Sequence, residues 1–152
     1  MNRGDRGMGR RDDPDRNFRF IVEIDGIAQS GFSEVIMPES LTTVIEYREG
    51  SMQPYTRKLP GLTKYSNLIL KSGITESMEL YEWRKQVIEG EIQEARRNLS
   101  VILLDGERNE CARWNFTEAW PARYTPPNLS AEREDVATET FEVTFERMER
   151  VH

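Results

Sequence analysis

Histidine and cysteine are all but missing from this 152-residue chain, at one residue each. The single imidazole is the last residue, His152, so no internal histidine is at hand as general base, metal ligand or triad member. One thiol, Cys111, excludes an internal disulfide and any multi-cysteine metal site, and it reads as a small apolar residue. No cofactor is implied. No apolar run approaches the roughly 18 residues that a spanning helix needs, so membrane insertion by this chain is not expected. Residues 1–16 hold no apolar stretch of the kind a secretory leader requires, which points to synthesis and assembly in the cytoplasm. The Asn-x-Ser/Thr matches at Asn98, Asn115 and Asn128 are then chance occurrences of a short pattern.

Positive charge is also scarce. Lys and Arg number 21 against 27 Asp and Glu, and the five Arg and four Asp of residues 1–16 leave 16 basic and 23 acidic residues, a net of −7 for the body. Such a body argues against stable nucleic-acid binding, which rests on phosphate contacts, without preventing nucleic acid from passing by. Residues 1–16 have no branched or aromatic apolar side chain to anchor them and read as a flexible arm ahead of one domain over 17–152. A domain of that length buries roughly 68 to 70% of its unfolded surface, enough for a real core. Within the arm, Arg3-Gly4-Asp5 and the Gly4, Gly7, Gly9 cluster are compositional accidents, since the glycines neither follow a strand nor open a helix.

From Asn17 a period of two begins: Phe18, Phe20, Val22 and Ile24 face one way, Arg19, Glu23 and Asp25 the other. Asp25-Gly26 is a two-residue hairpin signal, with the returning strand over Ile27 to Met37, bulged at Gly31 and ended by Pro38. Thr42 to Glu49 is a third strand. Gly50 to Leu62, with Pro54, Pro60 and Gly61, reads as an extended, exposed loop carrying Arg57 and Lys58, long enough to have a role of its own. Tyr65 to Lys71 is a short strand. Glu76 to Glu89 predicts a helix, capped by Thr75, left through Gly90, and striped with Leu80, Trp83 and Val87. Strands follow over Leu99 to Leu104 and Glu110 to Trp120, separated by a turn at Asp105 to Asn109. After a second loop, Tyr124 to Asp135, a last strand runs from Val136 to about Met148, with Phe141, Val143 and Phe145 alternating with polar residues. Seven strands and one helix predict a mainly β barrel or sandwich with a flanking helix.

Catalytic constellations are weak. Glu110 and Glu118 form a formal carboxylate pair for glycoside hydrolysis, but 27 acidic residues make such pairs unavoidable. Trp83, Trp114 and Trp120 are a formal sugar platform or ligand-barrel lining, yet their positions in an apolar stripe and an apolar strand suit core. What an open sheet does offer is unpaired strand edges, which need cover from another chain. Glu142, Thr144 and Glu146, opposite the apolar positions of the last strand, are candidates for an acidic face toward a lumen or the exterior.

Several segments then fall into a known order: Asn17-Phe18-Arg19-Phe20, Glu23-Ile24-Asp25-Gly26, Gly31-Phe32-Ser33-Glu34-Val35, Ile45-Glu46-Tyr47-Arg48-Glu49-Gly50 and Arg57-Lys58-Leu59-Pro60-Gly61-Leu62. Lys64-Tyr65-Ser66-Asn67, Glu79-Leu80-Tyr81-Glu82-Trp83, Arg113-Trp114-Asn115-Phe116 and Ala119-Trp120-Pro121 continue it. Over about residues 14 to 151 the chain resembles the phage tail tube protein family. That resemblance implies a non-enzymatic inner-tube subunit of a contractile phage tail or extracellular contractile injection system, with a fold similar to the tube protein of type VI secretion. It implies hexameric rings stacked into a conduit for protein or DNA cargo, and sheath, baseplate and tail-terminator proteins as partners. Residues Arg57, Lys58, Leu59, Pro60, Gly61 and Leu62 are the candidate contact to a neighbouring subunit or ring. Ile36-Met37-Pro38-Glu39-Ser40 departs from the Ser-Gly-Leu-like turn of many relatives, so a baseplate-proximal adaptor paralogue stands as the alternative to a trunk subunit.

Overall fold

Burial follows the period of two only in the second half of the first strand, where Val22 and Ile24 are buried and Glu23 is exposed, whereas Phe18 and Phe20, expected on the buried face, are 51% and 36% exposed. The computed structural model describes residues 18–27, 32–50, 54–74, 78–132 and 137–152. The arm expected over 1–16, the bulge at Gly31 and the helix cap at Thr75 lie outside them. Among the described residues, nine strands and two helices occur in the order β1 (Arg19–Ile24), β2 (Phe32–Ile36), β3 (Ser40–Tyr47), β4 (Arg57–Tyr65), β5 (Leu68–Gly73), α1 (Glu79–Ile88), α2 (Ile92–Ala95), β6 (Arg97–Leu104), β7 (Glu110–Thr125), β8 (Thr138–Thr144) and β9 (Arg147–Arg150).

Seven strands make one antiparallel sheet, ordered β1-β6-β7-β8-β5-β2, with β9 also on β7, and β3 and β4 pair only with each other. The sheet stays open, ending at β1 and β2. The 16-residue β7 serves two halves: its first part lies between β6 and β9, and its last part, Trp120 to Thr125, pairs with β8. Leu68, Leu70, Leu99, Val101, Phe116, Phe141 and Val143 fill the interior. The helical stripe is as expected: Leu80 and Trp83 are buried, Val87 packs on the core, and Trp83 Nε1 donates to the Ala95 carbonyl at 2.7 Å, tying α1 to α2. The mainly β class with a flanking helix therefore holds.

Several expectations need correction. The Asp25-Gly26 turn forms, with the Ile27 N–H on the Ile24 carbonyl at 2.9 Å. Gly26 is favoured there by its φ of 76°, and an added Cβ, 2.8 Å from Arg97 Nη1, would also displace that guanidinium. Yet no hairpin ladder follows: β1 pairs with β6 and β2 with β5, leaving a single Ile24–Ile27 bridge. Burial decides the partner, since Val22 and Ile24 face Val101 and Leu99 across the register. The expected loop over Gly50 to Leu62 is in its second part a strand, β4. Pro60 and Gly61 act as breakers in a central strand but are tolerated in a two-stranded ribbon, at an irregularity of register. The long last strand divides at Phe145-Glu146 into β8 and β9, while β7 runs on through Pro121. The four-residue α2 is too short to leave a periodic signal.

Candidate assembly surfaces

The register of the β3–β4 ribbon pairs Tyr47 with Arg57, Glu46 with Lys58, Ile45 with Leu59 and Val44 with Pro60. Alternation then places Arg57 and Leu59 with Leu41, Ile45 and Tyr47 on one face, and Lys58 and Pro60 with Val44 and Glu46 on the other. The two cations taken together in the sequence thus point apart. An added Cβ on Gly61 would lie 3.1 Å from both Ile45 Cδ1 and the Thr43 carbonyl, so a glycine lets the strands approach, and the Thr42 and Thr63 hydroxyls bond at 2.9 Å. All of β3 is exposed, including Leu41 at 67% and Ile45 at 49%, and Leu59 and Leu62 are exposed at 40% and 74%. Leu41, Val44, Ile45 and Tyr47 are the residues that the candidate list lacked. Their signal was present as a β-branched strand directly ahead of the supposed loop.

The second surface is the sheet itself. In the half formed by β7, β8, β5 and β2, Glu142 and Thr144 stand opposite the buried Phe141 and Val143, whereas Glu146 lies beyond the end of β8. The three candidates therefore do not form one acidic face. Glu142 pairs with Arg123 at 3.3 Å and accepts a bond from Asn67 Nδ2 at 3.3 Å. Glu146 lies 2.9 Å from Arg96, whose guanidinium is also 3.7 Å from Glu118. On the core side of β8, the Tyr124 hydroxyl donates to Glu139 at 2.6 Å, and burial first, then that carboxylate, pushes its pKa up to about 12.

Catalytic chemistry gains no support from the geometry. Glu110 and Glu118 are eight positions apart on β7, about 26 Å along an extended strand, too far to share a glycosidic bond. Glu110 is held below the usual carboxylate range by hydrogen bonds from Arg113 and then His152. Trp83 is core, and Trp114 and Trp120 pack against it, with the Arg150 guanidinium over the Trp114 ring at 5.5 Å. A cleft of about 130 Å³ between the Gly26 turn and α1 is crossed by Arg97, whose nitrogens donate to the Asp25 carbonyl and Gln86, each at 2.9 Å. Among the described residues no cluster of three or more His, Cys, Asp or Glu side chains is placed to hold a metal ion, and no helix is long and apolar enough to cross a membrane.

The ribbon's exposed apolar face and the open edges of the sheet are both surfaces of the kind that another chain covers. Residues 16–149 match the family model of the T4-like virus tail tube protein gp19. The chain belongs to that family. Comparison with curated proteins finds no match. Among solved structures, this tail tube family member is similar to a chain of the sheath–tube complex of an extracellular contractile injection system, PVC, in its extended state, with TM-score 0.78 and 23% identity over 91% of this chain and 92% of that one. A chain of the six-fold symmetrised baseplate of the anti-feeding prophage gives TM-score 0.74 and 19% identity over 90% and 93%. Hcp1 from Flavobacterium johnsoniae gives 0.56 and 20% over 87% and 94%.

Proposed function

We propose that the chain is a structural, non-enzymatic subunit of the inner tube of a contractile, phage-tail-like particle, forming hexameric rings that stack into a hollow conduit. The observation that carries this reading is the β3–β4 ribbon, two strands that pair only with each other and hold Leu41, Ile45, Tyr47 and Leu59 in water. A lone two-stranded ribbon is marginal in stability, and an exposed apolar face marks an interaction site. Seated on another copy, that face is covered. An arm on one copy meeting the body of the next is a head-to-tail contact, which propagates into rings or filaments. Within a ring, β2 of one copy meets the Trp120–Thr125 stretch of the next, an edge whose Pro121 carbonyl is already held by Arg84 at 3.1 Å and whose remaining main-chain groups are left for the neighbour, so that β7, β8, β5 and β2 of successive copies form a continuous wall.

Six-fold order draws support from the six-fold symmetrised baseplate that contains one relative. In this reading residues 17–152 are the tube domain and residues 1–16 a flexible arm. The partners are the contractile sheath, baseplate and tail-terminator proteins, and the cargo is protein or DNA moving through the lumen without stable binding. The particle, a phage tail or a released injection device, is assembled in the bacterial cytoplasm. A second reading, a baseplate-proximal adaptor that starts the tube, is favoured by the likeness to the baseplate chain. Copy number in purified particles separates the two, because a trunk subunit outnumbers baseplate proteins many-fold.

Electron microscopy of the purified protein tests the main reading. Wild type is expected to form rings and tubes, and Ile45→Asp with Leu59→Asp is expected to remain folded by circular dichroism but unassembled. A double variant that builds tubes at wild-type yield overturns the role of the ribbon.

A further inference from the structure

The body carries a net charge of −7, and one face of the sheet takes no part in that excess. On the uncovered face of β7, β8, β5 and β2 stand Glu34, Lys71, Arg123 and Glu142, joined in two pairs, Lys71–Glu34 at 3.2 Å and Arg123–Glu142 at 3.3 Å. Between them the register sets Thr140 opposite Lys71 and Thr125, and Ile69 opposite Glu142. The other half is paired less evenly, one guanidinium serving two carboxylates. There Arg113 bonds Glu110 at 3.2 Å and lies 3.7 Å from Glu23, and Arg147 bonds Glu149 at 2.8 Å. Three units of the acidic excess fall on the helical flank, where residues 79–95 carry Glu79, Glu82, Glu89, Glu91 and Glu94 against Arg84 and Lys85.

We propose that the face of β7, β8, β5 and β2 lines the conduit, and that its internal ion pairs keep this wall free of net charge toward a charged polymer of either sign. The inference rests on the tube reading. This half suits a wall because its lateral edges, β2 and Trp120–Thr125, are five and six residues long, whereas one edge of the other half is the four-residue β9. Its uncovered face also exposes a single large apolar side chain among the described residues, Ile36. The physics of passage follows. A polyanion is held by unpaired cations that displace its counterions, and a protein cargo by uncompensated charge opposite its own patches. Paired charges about 3 Å apart act as dipoles whose field fades within a Debye length of about 8 Å, so the wall grips neither.

The carboxylates of this face therefore work as masks over Lys71 and Arg123, and removing them should create an adhesive channel. In a Cys111→Ser background, Thr140→Cys is expected to react in assembled tubes with a small maleimide but not with a bulky polymer-linked one, and with both in dissociated subunits. Tubes of Glu34→Gln with Glu142→Gln should retain a fluorescent single-stranded oligonucleotide at low salt about tenfold more than wild type, and lose it at high salt. Arg123→Gln tubes should retain no more than wild type. The proposal is overturned if residue 140 meets the bulky reagent as fast in tubes as in free subunits. It is overturned equally if the double glutamine variant retains no more oligonucleotide than wild type, the result expected of an acidic wall. If no variant and no wild-type protein forms tubes, the tube reading itself fails.

Discussion

Tyr124 shows how a single side chain ties stability to pH. It lies against Tyr81 and Phe141 with its hydroxyl on Glu139. Its folded pKa, pushed up to about 12, exceeds the value of about 10 that an unfolded chain gives. A raised pKa contributes stability that is complete below the unfolded value and is lost as pH rises through the folded one. Urea midpoints should therefore begin to fall above about pH 10, and Tyr124→Phe should show a shallower decline over that range. Glu118 bears on stability through its backbone. Its φ of 55° stands at the corner where β7 leaves β6 for β8, a conformation that costs an L side chain about 1 to 2 kcal/mol. The partner Arg96 at 3.7 Å returns about 1 kcal/mol at most, since Glu118 is half exposed. Glu118→Gly should consequently stay within about 1 kcal/mol of wild type in urea unfolding, while β-branched Glu118→Val should lose about 2 kcal/mol.

At the scale of elements, the ribbon replaces the idea of a basic loop by an amphipathic strand pair, and the two cations separate in consequence. Arg57 shares the face of Ile45 and Leu59, and Lys58 shares that of Glu46 and Val44. Arg57→Glu should thus reduce tube yield in electron micrographs several-fold, while Lys58→Glu should leave it near wild type. Equal effects would place both faces in the contact. How legible these elements were depended on whether their signal was local. The stripe of Leu80, Trp83 and Val87 and the alternation around Phe141 and Val143 report burial directly, so α1 and β8 could be read with their core faces. Pro60 and Gly61 carry a local meaning, chain breaking, that a ribbon at the margin of the fold overrides. The partner of β1 could not be read from Asp25-Gly26, because a turn specifies a reversal and not which strand returns. For the proposed assembly surface, the sequence offered Arg57 to Leu62 as candidates but not Ile45 and Tyr47, since exposure of an apolar strand depends on how the other strands pack.

At the scale of the molecule, charge among the described residues divides into an acidic helical flank, an ion-paired face on β7, β8, β5 and β2, and a ribbon whose Arg57, Lys58 and Lys64 outnumber Glu46 on its strands. Assembly through apolar contact and strand pairing should tolerate salt, because exposed ion pairs contribute only about 0 to 1 kcal/mol each. Tubes are expected to persist, by sedimentation, when sodium chloride is raised well above physiological strength, and dispersal to monomers would assign the contact to electrostatics. The ribbon also has a consequence in time. Tyr47 meets Arg57 across one short connection, whereas Arg19 must wait for Leu104 and Leu68 for Val143. Closing a short loop loses less entropy, so this pairing is the first that can form, transiently, while the body is still in pieces. A chain emerging during synthesis therefore exposes its adhesive part first, at the stage when foreign strands can most readily add to its edges. Pro60, which has no N–H to offer, the irregular register between Thr42 and Val44, and the lysines at 58 and 64 all spoil the straight, regular edge that such a strand needs. The features that disguised β4 as a loop are those that keep it from pairing before its own partner arrives.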